Sequence, residues 1–149
     1  MVGLGYCHKV VIYNHSGGDA VTPSVWYGTE LHNVRIELTK AANIAATGMA
    51  DANVCTVKVH DSDLPEGYCI PSEWETAEDK AGKYTFTENA YIVITDDTDI
   101  GAKYTAQTGM ISDTEDGLIE NISAEYSYVF KINSVDHYAL IPHWELGCR

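Results

Sequence analysis

The feature that most narrows the fold is a two-residue alternation of apolar and polar side chains that returns along most of the chain. Successive side chains of a strand point to opposite faces, so this period marks half-buried strands. Cys55, Val57 and Val59 alternate with Thr56, Lys58 and His60. Val34, Ile36 and Leu38, with Leu31 ahead of them, alternate with Arg35 and Glu37. Tyr84 and Phe86 alternate with Thr85 and Thr87, and Tyr126, Tyr128, Phe130 and Ile132 with Ser127, Val129 and Lys131. Residues 9–13 form a β-rich run that stops at the turn cluster Asn14, His15, Ser16, Gly17, Gly18, and residues 91–94 are an apolar run of the kind found in fully buried strands. Residues 138–146 alternate less cleanly around Pro142 but carry Trp144 and Leu146. About seven short strands separated by turn signals predict a mostly β chain with little helix, a barrel or sandwich forming one domain over residues 1–149.

Three other stretches interrupt this pattern. Residues 41–52 are rich in Ala but broken by Gly48, and read as a small-residue loop ahead of a helix. Residues 73–80 have room for one helical turn after Pro71 and Ser72. Residues 95–117, and up to 120 at the widest, are acidic, contain glycines and hold few large apolar side chains. They predict one long surface loop, and loops of that length in compact domains usually serve a function or stay disordered.

Charge excludes several partners. Asp and Glu number 22 against 9 Lys and Arg, for a net charge of −13. Nucleic-acid backbones and anionic lipid surfaces are bound through clustered Lys and Arg, so neither specific nucleic-acid binding nor membrane binding is expected. There is no apolar run of about 18 residues to span a bilayer, and residues 1–9 lack the basic and apolar segments of a signal peptide. Cys7, Cys55, Cys69 and Cys148 form no CxxC pair and read as reduced thiols. Ten tyrosines against two phenylalanines suit half-buried strands and protein interfaces.

No motif points to catalysis. The acids Asp61 and Asp63, Asp96, Asp97 and Asp99, and Asp113, Glu115 and Asp116 could hold calcium. An EF-hand loop needs alternating acids, a central Gly and a closing Glu. Gly101 arrives one place early for Asp97 and Asp99, and Thr108 stands where Glu belongs. Solvated turn acids are the expectation at all three places. A zinc site built on Cys7 and His8 would need ligands from elsewhere in the chain. The six histidines are scattered, with no HExxH, GxSxG, P-loop or dinucleotide fingerprint. Neither enzymatic activity, cofactor nor metal is expected. Trp26, Trp74 and Trp144 read as core or interface anchors in preference to a sugar-stacking platform.

Several segments together resemble small proteins of prophages and tailed phages of Gram-positive bacteria, encoded among minor capsid and head–tail joining genes. They are the opening Val11-Ile12-Tyr13-Asn14, the aromatic-to-strand segment from Trp26 through Gly28, Val34 and Ile36 to Glu37, and the stretch 48–59 with Ala50-Asp51. They also include the middle loop 68–74 with Ile70-Pro71, the pair 84–87 and 91–93, and the closing 132–136 with Pro142-His143-Trp144-Glu145-Leu146. Where that family has a Gly-Asp turn this chain has Glu88-Asn89-Ala90, and residues 96–120 match less well. The resemblance implies a virion structural protein without catalytic residues, a stopper-like or completion-like subunit of a connector ring. Its partners would be portal, adaptor or tail proteins and further copies of itself. It would reside in the host cytoplasm during assembly and then in the virion. The interface residues expected on this reading are Trp26, Asp97, Ile100, Tyr104, Met110 and Trp144. A tail-associated β module with an adhesion or carbohydrate-binding role is the alternative, and a small hydrolase or metal enzyme a more distant one.

Overall fold

The structure, a computed structural model, describes residues 7–38 and 54–149. The expected loop at 41–52 lies outside them. Among the described residues eight strands form: β1 (His8–Ser16), β2 (Val25–Leu38), β3 (Cys55–His60), β4 (Tyr91–Asp97), β5 (Ala102–Lys103), β6 (Gly109–Ser112), β7 (Val129–Tyr138) and β8 (His143–Cys148). Two helices accompany them, α1 (Pro71–Thr76) and α2 (Leu118–Glu125), with a single 3-10 turn at Asp61–Asp63.

Six of the strands close into an antiparallel barrel. The order β1-β2-β3-β8-β7-β4 is completed by a β4–β1 pairing, Val10 to Ile94 through Tyr13 to Tyr91. The alternation then has a direct meaning. Val10 and Ile12 of β1, Ile92 and Ile94 of β4, and Val57, Val59 and Leu146 all enter one interior cluster with Leu31, Val34 and Ile132. Each such side chain, fully buried, contributes about 1.5–3 kcal/mol. Val11, Tyr13 and Val93 point outward yet are also buried, because α2 and residues 104–111 cover that outer face. This double burial is why the two runs lack polar residues.

The segment expected as one open acidic loop is thus partly ordered on the barrel wall. It begins as the end of β4, turns back as β5, and supplies β6, which pairs with the first half of β2 from Val25–Ser112 to Gly28–Gly109. Gly28 makes this approach feasible: a Cβ there would stand 2.9 Å from both the Gln107 carbonyl oxygen and the Tyr13 ring. Tyr104, Ala106, Ile111 and Leu118 are the apolar residues that tether the segment to the wall.

Residues 61–90 cover one mouth of the barrel, the upper end, where β3 leaves and β4 enters. Residues 84–87, expected as a strand, form none. Tyr84 makes one isolated bridge to Tyr68, while Tyr84 and Phe86 turn inward and plug the core. The reason is a side chain. The Asn14 amide donates to the Thr85 carbonyl at 2.9 Å, and its oxygen accepts the Thr85 N–H at 3.2 Å. Asn14 takes the place of a neighbouring strand for a fully buried backbone unit. The strand expected from Tyr126 starts at Val129, since Tyr126 ends α2. The helical turn expected within 73–80 forms earlier, as α1 at Pro71–Thr76, with Pro71 in its first turn, where a missing N–H costs nothing, and it stops at Ala77. Trp74 of α1 is buried, and the Lys80 ammonium lies over its ring while donating to the Ala77 carbonyl at 2.9 Å.

Asn14→Leu would strand the Thr85 N–H and C=O inside the protein. We expect a loss of about 2–4 kcal/mol in denaturant unfolding, with the slope of the transition unchanged.

Candidate functional site

β1, β3 and β7 end at the upper mouth, and β2, β4 and β8 begin there. Two turns leave the barrel at this end, and both carry bare apolar side chains. The β7–β8 turn presents Leu140 at 98% exposure and Ile141 at 65%, with Tyr138 at 47%, and the β1–β2 connection presents Val21 at 91%. The β7–β8 turn is nevertheless well built. His143 bonds the Ile141 carbonyl through Nδ1 at 2.7 Å and Glu145 through Nε2 at 2.9 Å, and its ring stacks on Tyr138. The Glu145 bond and then the Ile141 carbonyl raise the His143 pKa above its ordinary value. At the turn's base His137 pairs with Asp61 at 2.9 Å and packs on Trp144. This apolar tip on a braced hairpin was absent from the sequence-based candidates. The signal was Leu140-Ile141-Pro142, a pair of large apolar residues in a turn.

A second feature is the free side of β6. Among the described residues β6 pairs only with β2, so its outer edge stays open, with Met110 at 65% exposure. Such an edge is a template for another chain's strand.

The expected interface residues separate into distinct environments. Met110 is on the surface. Trp26 is buried against His15 and Tyr91 beneath the outer layer. Trp144 is half-buried among Tyr68, Phe86 and His137. Ile100 packs against the core from the β4–β5 turn. Tyr104 stacks on Tyr126, with its hydroxyl donating to Glu125. Asp97, expected as a solvated turn acid, is 2% exposed and sits beside His8.

A cleft of about 320 Å³ lies between α2 and the covering segment, lined by Tyr13, Tyr104, Gln107, Leu118, Ile122 and Glu125 among others. The Tyr13 hydroxyl donates to the Gln107 carbonyl at 2.7 Å. Burial, reinforced by Tyr104, pushes the Tyr13 pKa up to about 12. The Glu125 hydrogen bond, with burial behind it, does the same for Tyr104. A phenol with a base of this kind nearby is held neutral, which makes a poor nucleophile.

Among the described residues, one Ser, His and Asp cluster lies beside the start of α2, in an order unlike that of a catalytic triad. His15 Nε2 lies 2.6 Å from Ser24 Oγ, and Ser24 donates to Asp113 at 2.9 Å. The serine proton is committed to the carboxylate, whereas a nucleophilic serine gives its proton to the histidine and the carboxylate orients that histidine. Asp113 serves structure instead, accepting the Leu118 N–H at 2.7 Å at the start of α2. Burial alone would raise its pKa, but the bonds from Leu118, Ser24 and Thr114 outweigh it and hold it below the ordinary value. The four thiols are free. Cys148 faces Cys55 across β3 and β8, and the hydrogen bond to Cys55 together with burial pushes its pKa upward, away from the reactive thiolate.

Residues 6–149 match a protein family described as a family of unknown function, DUF6751. The chain belongs to DUF6751. No curated protein and no solved structure matches it. For this DUF6751 chain, chemistry has to be read from the side chains above. The most accessible features are an open strand edge and an apolar rim.

Tyr13, Tyr104 and Tyr126 all have pKa values raised to about 12. The folded state therefore keeps protons that the unfolded chain gives up near pH 10. Stability from these groups is complete below about pH 10 and is lost as the pH rises towards 12. An alkaline titration followed by phenolate absorbance should show part of the tyrosines ionising late and together with loss of the β signal.

Proposed function

We propose that this chain is a structural subunit of the head–tail joining region of a tailed bacteriophage, without enzymatic activity, that joins copies of itself and portal, adaptor or tail proteins into a ring. The observation that carries the proposal is the open edge of β6 beside exposed Met110, mounted on a barrel whose six strands are otherwise closed upon themselves. A closed barrel is a rigid block, and among the described residues only β6 and the two-residue β5 leave an edge open, β6 being the longer, so lateral pairing is directed to it. A neighbour that adds a strand there makes a head-to-tail contact, and such contacts close into rings when their rotation permits. The apolar tip at Leu140 and Ile141 then supplies an axial contact at one end. With a net charge of −13, copies repel at low concentration and a lumen lined by them would let DNA pass without adhering.

The carbohydrate-binding alternative draws less support. Trp26 and Trp74 are buried and Trp144 is packed under other rings, so none offers the open aromatic face that a sugar needs.

Electron microscopy of particles from a prophage lacking this gene should show separate heads and mature tails. Normal joined, infectious particles would remove the proposal. In the complemented strain, Met110→Asp should leave the barrel folded by circular dichroism yet reduce incorporation into particles at least tenfold, read by immunoblot of purified virions.

A further inference from the structure

The lower end of the barrel holds a cluster that the connector reading does not use. His8 opens β1, Asp97 closes β4, and Asp99 follows in the β4–β5 turn. The first two are buried at 6% and 2% exposure, while the Asp99 side chain is 84% exposed and faces solvent. We propose that these three side chains, with the neighbouring Cys7 thiol, form a binding site for one divalent transition-metal ion of the zinc type, which staples the pairing that closes the barrel.

The placement of Asp97 is the first argument. Along β4, Ile92 and Ile94 point inward, so strict alternation would send Asp96 inward and Asp97 out. The register with β1 shifts between Ile94 and Asp96, where Thr95 is the extra residue. This bulge reverses the alternation and turns the Asp97 carboxylate into the protein. His8 lies on the inward face of β1, in phase with Val10 and Ile12. A shift also occurs in β2 opposite Lys9, where Asn33 takes a φ of 56°. Bulges on both neighbours of β1 thus flank the point where His8 and Asp97 meet.

The spacing is the second argument. His8 Nδ1 stands 3.5 Å from Asp97 Oδ1, and His8 Nε2 stands 3.5 Å from Asp99 Oδ2. That exceeds a normal N–H···O hydrogen bond of about 2.7–3.2 Å. Two ligands each about 2.0–2.2 Å from a tetrahedral zinc ion stand roughly 3.3–3.6 Å apart. An ion takes only one of the two ring nitrogens, so the His8 Nδ1–Asp97 pair fits that separation and the exposed Asp99 carboxylate has to turn to the same side of the ring. One donor atom from each of the three side chains can be chosen so that all lie within 4.8 Å of one another. Cys7 Sγ is 3.9 Å from His8 Nδ1, the nitrogen that faces Asp97, and it is exposed, so it can swing in as the fourth ligand. One imidazole, two carboxylates and a thiolate are a complete set for zinc, and a dication offsets the buried carboxylate charge. The Asp99 backbone N–H donates to Asp97 Oδ1 at 3.0 Å, which ties the β4–β5 turn that carries Asp99 to the Asp97 carboxylate.

The test uses untagged protein stripped with a chelator and titrated calorimetrically with zinc ion alone. One zinc per chain is expected, with a rise in melting temperature on binding. His8→Ala and Asp97→Asn should each weaken binding at least tenfold. Asp99→Asn, at an exposed position that leaves the apo melting curve unchanged, should also weaken binding at least tenfold and abolish the thermal shift. Absence of zinc uptake by the wild-type chain overturns the proposal. So does zinc binding that persists unweakened in Asp99→Asn, which would locate the ion elsewhere, for instance at the His60–His143 pair on β3 and β8.

Discussion

The rest of the structure depends on the pairing of β1 with β4. A sheet of six strands that stopped short of this contact would expose two long edges and leave Val10, Ile12, Ile92 and Ile94 with one wet side. Closure removes both problems together and places β1 between two partners. It joins residues far apart in sequence, so the whole core must assemble for it to form. The plug at the upper mouth then follows. Tyr84 and Phe86 can fill the barrel only because Asn14, at the end of β1, completes the hydrogen bonding of the chain that carries them.

The barrel was legible in the sequence because its strands obey a single period. Val57 and Val59 announced the interior, residues 9–13 read as a β-rich run, and the apolar run 91–94 announced a fully buried strand. The rest was hidden for particular reasons. Residues 84–87 alternate like a strand, but their partner is a side-chain amide, which no periodicity reveals. β6 has Gly109 and exposed Met110 because an edge strand needs no apolar face, and so it read as loop. Asp97 read as a solvated acid because the bulge at Thr95 leaves no mark in composition. Of the residues expected at an interface, Met110 lies on the surface, while Trp26 and Asp97 lie inside. An aromatic or a carboxylate in a sequence does not disclose which face of the sheet it will occupy.

The polar clusters repeat one theme. His15, Ser24 and Asp113 meet in an order that fixes the start of α2 instead of activating a nucleophile. Tyr104 and Glu125 hold the covering segment to α2, and His143 and Glu145 brace a turn whose tip is apolar. Each carries a proton where it secures the chain. Among the described residues, the large apolar side chains left exposed are Val21, Tyr138, Leu140 and Ile141 at the rim, Met110 on β6, and Leu38 and Ile70.

The extra residue in β4 has an evolutionary consequence. Thr95 is one residue more than β1 has opposite it, so this stretch can lose a residue without losing its phase. Without Thr95, strict alternation from Ile94 would still send the Asp96 side chain outward and the Asp97 carboxylate inward, whereas loss of a second residue would reverse the two faces. Natural variation in length at this point of the family should therefore be a single residue, present or absent, a signature that an alignment of relatives would display even where residue identities have drifted.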